Sequence, residues 1–562
     1  MGLDEKVTAA YNTRPTRSIN ARPVKNLGYS EAGASFVRRA LKSFLPLSGS
    51  PSDDIDRNNE TLRQRARLLY MSSPLATSAI ATNRTKIVGT GLTLKAGVDG
   101  NKTMMDAAAR EVWEREAESE FDLWASKRQN CDALAVTNFY EMQQLALMSW
   151  LMSGDVFALI KREKPTPLNP YSLRLHLIEA DRISTPFIYR GAQYLATGRE
   201  VIPDGFPGAG NYIYDGVEVD RRTGRVVAYH ICNNYPLSIL LETSTWTRVE
   251  AYGRETGLPN ILHVMSPERP DQYRGVPLLA PVIEVLLQIR RYTESELMAA
   301  LVQSFFTAWI TTSTPQSDNP FNEVGAGDYP GGIPIEGPET NISSSENEYE
   351  MGPGTVTHLA DGENITFGNP NIPVAGFEPF VRTLARLVGA ALEIPYDVLV
   401  KEFNSSYSAS RGALLEAWEA FKMRRRWFVD DFCQPVYEIF LAEAVALGRL
   451  RAPGFFDDAA IRKAWCGAKW IGPIQGQLDP MKEAIAALLL AQNGVKTYEQ
   501  ITRELGGGDW SANIEQLADE NRRRAEAGVS IADNANMSVR VNETEEETDE
   551  QESSETIERS QH

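Results

Sequence analysis

Histidine is scarce in this chain of 562 residues. There are five: His176, His230, His263, His358 and His562. No two stand at the spacing of paired metal ligands, which argues against a histidine-built metal centre. His176 and His230 fall inside strand-like runs, where a packed or edge imidazole is expected. Cysteine is scarcer still. Cys131, Cys232, Cys433 and Cys466 lie far apart and form no CxxC pair, the pattern of reduced, mostly buried thiols rather than a disulfide framework. Apolar runs are short too. The longest, from Val276 to Ile289, is interrupted by Glu284 and falls short of the roughly 20 residues of a membrane span. The N-terminus lacks the apolar core of a secretory signal, and Lys6 stands where a myristoylation signal carries Ser or Thr.

Motifs of catalysis are equally thin. There is no GxSxG elbow and no Ser–His–Asp set that the sequence supports. "GVDGNKT", Gly97 to Thr103, resembles a phosphate loop only superficially, because Asn101 separates Gly100 from Lys102; a polar surface turn is expected there. Asp430 and Asp431 form the one adjacent acidic pair worth testing as a metal or acid–base site. Neighbours on a helix point about 100° apart, so the two are read as charges on a wet face. Arg424-Arg425-Arg426 is the strongest basic run on a helix, read as a solvated face or subunit salt bridges, with a phosphate contact as the alternative. No cofactor, no metal and no enzymatic activity is expected.

Basic residues are outnumbered, 57 Lys and Arg against 75 Asp and Glu, for a net charge of −18. The excess is uneven: residues 1–50 carry +5 and residues 541–562 carry −8. An acidic body is a poor clamp for nucleic acid, since a clamp needs clustered cations that displace phosphate counterions. Nucleic acid passing by without being held is compatible with it.

The length allows two or more domains, and elements of both kinds follow one another. Helix is expected from Asn58 to Lys86, with Leu62, Ala66, Leu69 and Tyr70 on one face, and again from Asp106 to Ser126. "NFYEMQQLALMSWLMSGDVFALIKRE" reads as a helix running into a strand through Gly154. Strands dominate next, including a hairpin turning at Thr223-Gly224. A long helix is expected over 276–311. A Gly- and Pro-rich excursion with short alternating runs fills 312–375, and helix resumes at Phe377. After the polar break "KEFNSSYSASRG" comes a helix striped by Leu414, Trp418, Phe421, Phe428 and Phe432. Asp479-Pro480 and Thr497 with Gln500 signal two further helix starts. From Asn521 onward the chain is charged and repetitive, a composition expected to be disordered.

One loop asks for its own explanation: Glu268-Arg269-Pro270-Asp271-Gln272-Tyr273-Arg274-Gly275 stands directly before the long helix. "SPERPDQYRGVPLLAPVI" resembles the signature of lambda-family bacteriophage portal proteins, carried here by Glu268, Arg269, Gln272, Arg274, Gly275, Val276 and Pro277. "NFYEMQQLALMSWLMSGDVFALI", "GVEVDRRTGRVVAYHI", "EIPYDVLVKEFNSSYSASRGALLEAWEAF" and "WIGPIQGQLDPMKEAIAALLLAQNGVKTYEQI" resemble further landmarks of that family, in its order, from about residue 60 to 510.

The resemblance implies an α+β portal fold and a homo-oligomeric ring of about twelve subunits at one capsid vertex. Its implied parts are a flexible basic N-terminal arm (1–60), a wing (61–275), stem helices (276–311 and 376–395), a small β-containing clip (312–375), a tunnel loop (396–411), a long wing helix (412–450), a helical crown (451–515) and an acidic tail (516–562). It implies as partners the large terminase subunit, the major capsid and scaffold proteins, head-completion or adaptor proteins, and double-stranded DNA passing without sequence specificity. No membrane is involved. Lys401, Asn404, Ser405, Ser406, Tyr407, Ser408 and Arg411 are the implied tunnel-loop residues. Glu268, Arg269, Gln272, Arg274 and Gly275 are the implied wing–stem joint, fixing an angle through salt bridges and backbone contacts. The alternative is another oligomeric virion structural or adaptor protein without a portal channel.

Overall fold

The computed structural model describes residues 39, 41, 43, 49–189, 200–236, 243–305, 309–312, 363–366, 376–402, 407–475, 480–506 and 508–527; for 302–305, 309–312, 363–366 and 407–409 it describes the backbone alone. Residues 1–54 group apart from 55–562. In the first unit Ser50 Oγ donates to Asp53 Oδ2 at 2.7 Å. The sheets and the hydrophobic core belong to the second.

The helix expected from Asn58 to Lys86 is two helices, α1 (Arg57–Ser72) and α2 (Pro74–Ile87). Ser73 between them is extended, with φ −114° and ψ 116°. Pro74 lacks an N–H to continue α1 and pushes the residue before it out of the helical region. Strand β1 (Thr93–Ala96) follows, then α3 (Ala107–Ala125), whose N-cap Asp106 accepts from Ala109 N at 2.7 Å. Helix α4 (Phe139–Ser153) starts at a reciprocal capping box, Asn138 with Glu141, each bond 2.9 Å.

At Gly154 the chain turns into β2 (Asp155–Arg162), the centre of a three-stranded antiparallel sheet between β3 (Leu173–Glu179) and β9 (Ile261–Met265). Successive strand residues face opposite sides, and β2 uses both. Val156 and Ala158 enter a large core shared with the helices, whereas Phe157 enters a smaller core with Val217, Val219, Tyr229 and Ile231. Those last four belong to a five-stranded antiparallel sheet: β4 (Glu200–Val201), β5 (Tyr212–Tyr214), β6 (Val217–Val219), β7 (Val226–Cys232) and β8 (Trp246–Glu250). Its expected hairpin turn is present, with Gly224 at φ +71° and Asp220 Oδ1 accepting from the backbone of Arg222 and Thr223.

The range 276–311 contains a single turn of 3-10 helix at Ala280–Val282, then α5 (Ile283–Phe305), and it ends as strand β10 (Trp309–Thr312) rather than helix. β10 pairs antiparallel with β11 (Glu363–Thr366), the described part of the 312–375 excursion. Helix α6 (Phe377–Leu392) returns toward the body. Beyond the polar break, α7 (Tyr407–Phe428) passes through a π-turn at Val429–Cys433 into α8 (Gln434–Ala446). Phe121, Phe139, Phe432 and Phe440 meet at centroid distances of 5.2–5.8 Å and anchor the large core. The four cysteines are buried and unbridged.

Helix α9 (Ala459–Trp465) and strand β12 (Ala468–Ile471) also belong to this body. β12 pairs with β1, and Phe455, Trp465 and Cys466 are core residues. The packing boundary therefore falls after Ile471, not at 451. Beyond it lie α10 (Pro480–Gln492), α11 (Tyr498–Leu505) and α12 (Trp510–Glu526), the last running past the expected limit at 515. The Thr497–Gln500 capping box is formed; Asp479 lies outside the described residues.

Candidate functional site

The loop before α5 is organised from its centre. Gln272 is buried, and its Oε1 accepts from the backbone N–H groups of Glu268 (2.8 Å) and Arg269 (3.0 Å) while its Nε2 donates to Arg274 O (2.8 Å). One amide side chain thus ties both ends of the loop. Asp271, at the bend, takes φ +60°, a left-handed conformation that Asp tolerates better than most residues. Glu268 is exposed and enters through its backbone rather than through an ion pair of its own.

Arg274 is completely buried. Its Nε donates to Asp155 Oδ2 at 2.7 Å and its Nη2 to Asp155 Oδ1 at 3.2 Å, a bidentate pair. Nη2 also donates to Ala180 O (2.9 Å), and Nη1 to Ile183 O (2.9 Å), Asp215 Oδ2 (2.7 Å) and Asp215 O. Every direction of the guanidinium fork is used, which is the geometry Arg offers and Lys does not. Burial opposes the charge of Arg274, yet Asp155 and Asp215 hold it protonated, above its ordinary range. Burial likewise pushes the Asp155 carboxyl up, but Arg274 and the His263 hydrogen bond outweigh it and hold Asp155 well below the usual carboxylate range. His263, 3.4 Å from Asp155, is pushed down by burial and stays neutral near pH 7.

The next residue fastens the loop to β2 and α1. Gly275 N donates to Asp155 Oδ2 (3.1 Å), and Gly275 O accepts from the Asn59 amide of α1 (2.7 Å). Gly154, at φ +89°, lies so close that a Cβ on either glycine would fall deep inside the other's backbone. A second tier continues along α1. Arg63 bonds Asp181 (2.8 Å) and Asp215 (3.1 Å), and Arg67 bonds Asp181. Asp56, at the start of α1, is pushed up to about 7 by burial and by the charge of Asp215. This lattice joins α1, β2, the turn before β6 and the entry to α5 in one set of ion pairs.

The polar break is narrower than the 396–411 range. Tyr396–Val400 is helical, and Lys401 ends that turn at φ +62°. Asn404, Ser405 and Ser406 lie outside the described residues. Tyr407 and Ser408 open α7, where the backbone alone is described. Arg411 faces the C-terminal helices, 3.7 Å from Glu483.

The Arg424-Arg425-Arg426 run is not a solvated face. Arg424 is buried and donates to Asn83 Oδ1 (3.1 Å), Leu392 O (3.2 Å) and Glu393 Oε2 (2.7 Å). Arg425 donates to Lys86 O (2.6 Å), Ile87 O (2.8 Å) and Pro473 O (2.8 Å), satisfying the last carbonyls of α2. Only Arg426 is exposed, paired with Asp430 at 2.8 Å. Asp431 is half-buried and pushed up to about 6 by burial and by Asp430. Both acids edge an open cavity of about 550 Å³ with Tyr229, Tyr252 and His263. Among the described residues no group of His, Cys, Asp and Glu is placed to hold a metal ion, and no helix is long and apolar enough to cross a membrane.

Comparison with known proteins places this arrangement. The family model described as "Phage portal protein, lambda family" matches residues 38–425, more than half of the chain and including the entire joint. The chain belongs to that family. It is similar to the portal protein of Escherichia phage N15, 24% identical over 320 residues, covering 56% of this chain and 59% of that protein. It is also similar to portal protein B of Escherichia phage lambda, 22% identical over 508 residues, covering 89% of this chain and 91% of that one. A solved structure of the neck of a native gene transfer agent particle, computed with C12 symmetry, aligns over 81% of this chain and 94% of that one, with 12% identity and a TM-score of 0.37.

Of the joint residues named from the portal signature, Gln272, Arg274 and Gly275 carry the contacts, and Glu268 and Arg269 are held by Gln272. The signature omits the partners: the counterions Asp155 and Asp215 stand 119 and 59 positions from Arg274, and Arg63 with its own partner Asp181 lies further along the same lattice. One local signal pointed to Asp155. It directly follows Gly154 and heads a strand whose next five residues, Val156 to Ile160, are apolar.

Proposed function

We propose that the chain assembles head-to-tail into a closed ring of about twelve copies at one vertex of the virion capsid and forms the conduit for genome packaging and ejection. The family membership carries this reading. The buried Arg274 lattice supports it physically, because a ring closes only if every subunit repeats the same rotation, and a joint whose ion pairs and glycine contact admit one geometry sets such a rotation. In this reading 61–275 is the wing, α5 and α6 are the stem, β10 and β11 belong to the clip, and 396–411 carries the tunnel loop.

Double-stranded DNA passes without sequence-specific contact. An acidic wall repels phosphates rather than binding them, and Lys401, Asn404, Ser405, Ser406, Tyr407, Ser408 and Arg411 are its closest neighbours. The large terminase subunit docks during filling and head-completion proteins afterwards, while capsid and scaffold proteins surround the ring. The protein is a scaffold and not an enzyme: it is expected neither to hydrolyse ATP nor to cut DNA.

Light scattering on the purified protein tests the reading. Twelve chains of 62.4 kDa give about 750 kDa, and a closed ring of neighbouring count satisfies it equally. A stable monomer or dimer at high concentration overturns it.

A further inference from the structure

The three C-terminal helices are attached to the body in an unusual way. No described residue between 480 and 527 is buried, and none belongs to the hydrophobic core or is packed directly against it. Ion pairs cross to the body instead: Lys95–Asp509, Arg115–Glu515 (3.4 Å), Lys469–Glu499 (3.5 Å) and Arg411–Glu483 (3.7 Å). All four have the same polarity, with the cation on the body and the carboxylate on the helices. Asp509 feels burial first, which raises it, but the Lys95 hydrogen bond and charge hold it below the ordinary carboxylate range. Between α7 and β12 on one side and α10 and α11 on the other lies an open cavity of about 600 Å³, edged by Leu414, Trp418, Trp470 and Leu490. An interface with a cavity at its centre and ion pairs across it gains little from apolar packing.

We propose that α10–α12 form an electrostatic latch: a helical unit that docks on the body through four like-oriented ion pairs and is released when ionic strength rises, opening the cavity beneath it. The polarity is what makes the device specific. The two cations that the unit turns toward the cavity, Lys496 and Arg503, pair within the unit, with Glu504 and Glu499, and not across to the body. Here all four pairs lose strength together. The inference does not depend on ring formation, because all four pairs lie within one chain.

Hydrogen exchange on the assembled protein reads the latch directly. Helices of 13, 8 and 17 residues are marginal once undocked, so release shows as faster amide exchange. From 50 mM to 1 M NaCl, exchange over 480–526 is expected to rise by about two- to fivefold for each pair weakened, while α4 in the body stays unchanged. Lys95→Glu is expected to raise that exchange about two- to fivefold at low salt, and Arg115→Glu with Glu515→Arg to restore the protection that Arg115→Glu alone removes. Glu515→Lys serves as a second variant at an exposed site, so that a folding defect at β1 leaves the question decided. Salt-independent exchange over 480–526, or a swap that fails to restore protection while the single change removes it, overturns the latch. A monomer that shows the same salt response would retain the latch and refute the ring alone.

Discussion

Arg274→Met is the sharpest perturbation of the joint. It keeps most of the apolar stem and removes a guanidinium that satisfies both oxygens of a fully buried carboxylate, one oxygen of Asp215 and three backbone carbonyls. Breaking one side of a buried ion pair costs about 3–5 kcal/mol, because the partner is left charged and poorly solvated. Asp155 retains only His263 and the Gly275 N–H, so the upper part of that range applies. For a chain this long the loss corresponds to roughly 3–4 °C in the thermal midpoint at fixed scan rate. Arg274→Lys is expected to recover less than half of it, since one ammonium does not reach Asp155, Asp215 and the carbonyls together.

The pH dependence gives the test its sign. In the native protein Asp155 has a depressed pKa, so its stabilisation is present above the unfolded value of 3.8 and is lost only as pH falls through the far lower folded value. The native protein therefore shows no Asp155-linked loss between pH 8 and 5. In Arg274→Met burial pushes Asp155 up with its main counter-charge gone, and His263 is relieved of the repulsion from Arg274. Both groups gain protons on mild acidification. The deficit of the variant is therefore expected to be largest at pH 8 and to shrink toward pH 5, followed by calorimetry. A deficit that is absent, or that grows as pH falls, would refute the reasoning.

Gly275→Ala places a Cβ inside the Gly154 backbone; it is expected to abolish soluble assembly, whereas Glu268→Ala, which keeps its backbone bond to Gln272, stays within about 0.5 kcal/mol of native stability. Asp56 has a raised pKa, so its contribution is full below 3.8 and is lost as pH rises through about 7; Asp56→Asn is expected to gain midpoint over the native protein on going from pH 5 to 8, and a constant difference would contradict the burial argument. Deleting Ser405–Ser408 is expected to leave ring assembly intact, with the same number of subunits, and to stop DNA packaging, measured as protected genome in filled particles. Lys401→Glu is the cleaner charge test there, because Arg411→Glu would also confront Glu483.

Elements announced by local chemistry were legible in the sequence. The Thr497–Gln500 box, the Gly224 turn and the helix-to-strand passage through Gly154 are all formed where their spacing puts them, because each depends on partners within a few residues. The loop before α5 was legible as a distinct element, but not as an ion lattice. A charged loop advertises its own charges and says nothing of counterions a hundred residues away, and Asp155 stands 119 positions from Arg274. Likewise the antiparallel pairing of β12 with β1 links segments 378 residues apart at its outer end, a contact that no local pattern in either strand specifies.

The arginine run shows which signal outranks which. Composition alone reads three consecutive arginines as solvent-facing, but the helical stripe of Phe421, Phe428 and Phe432 passes through position 425 at the i, i+4, i+7, i+11 spacing, with 424 beside it on the inner face. Periodicity therefore places two of the three guanidinium groups on the inner side, whatever partners they find. What makes their burial tolerable is what each meets there. Arg425 satisfies carbonyls at the end of α2 that no helical N–H reaches, and Arg424 finds Asn83, Leu392 O and the half-exposed Glu393. Burial alone pulls Arg425 down to about 10, still well above neutral pH, so the group remains charged and its bonds remain charge-assisted. Arg426, one position further around the helix, falls outside the stripe and is the one that pairs at the surface with Asp430. In this protein the position of a charge in the helical period, rather than the charge itself, decides whether it fastens the fold or faces water.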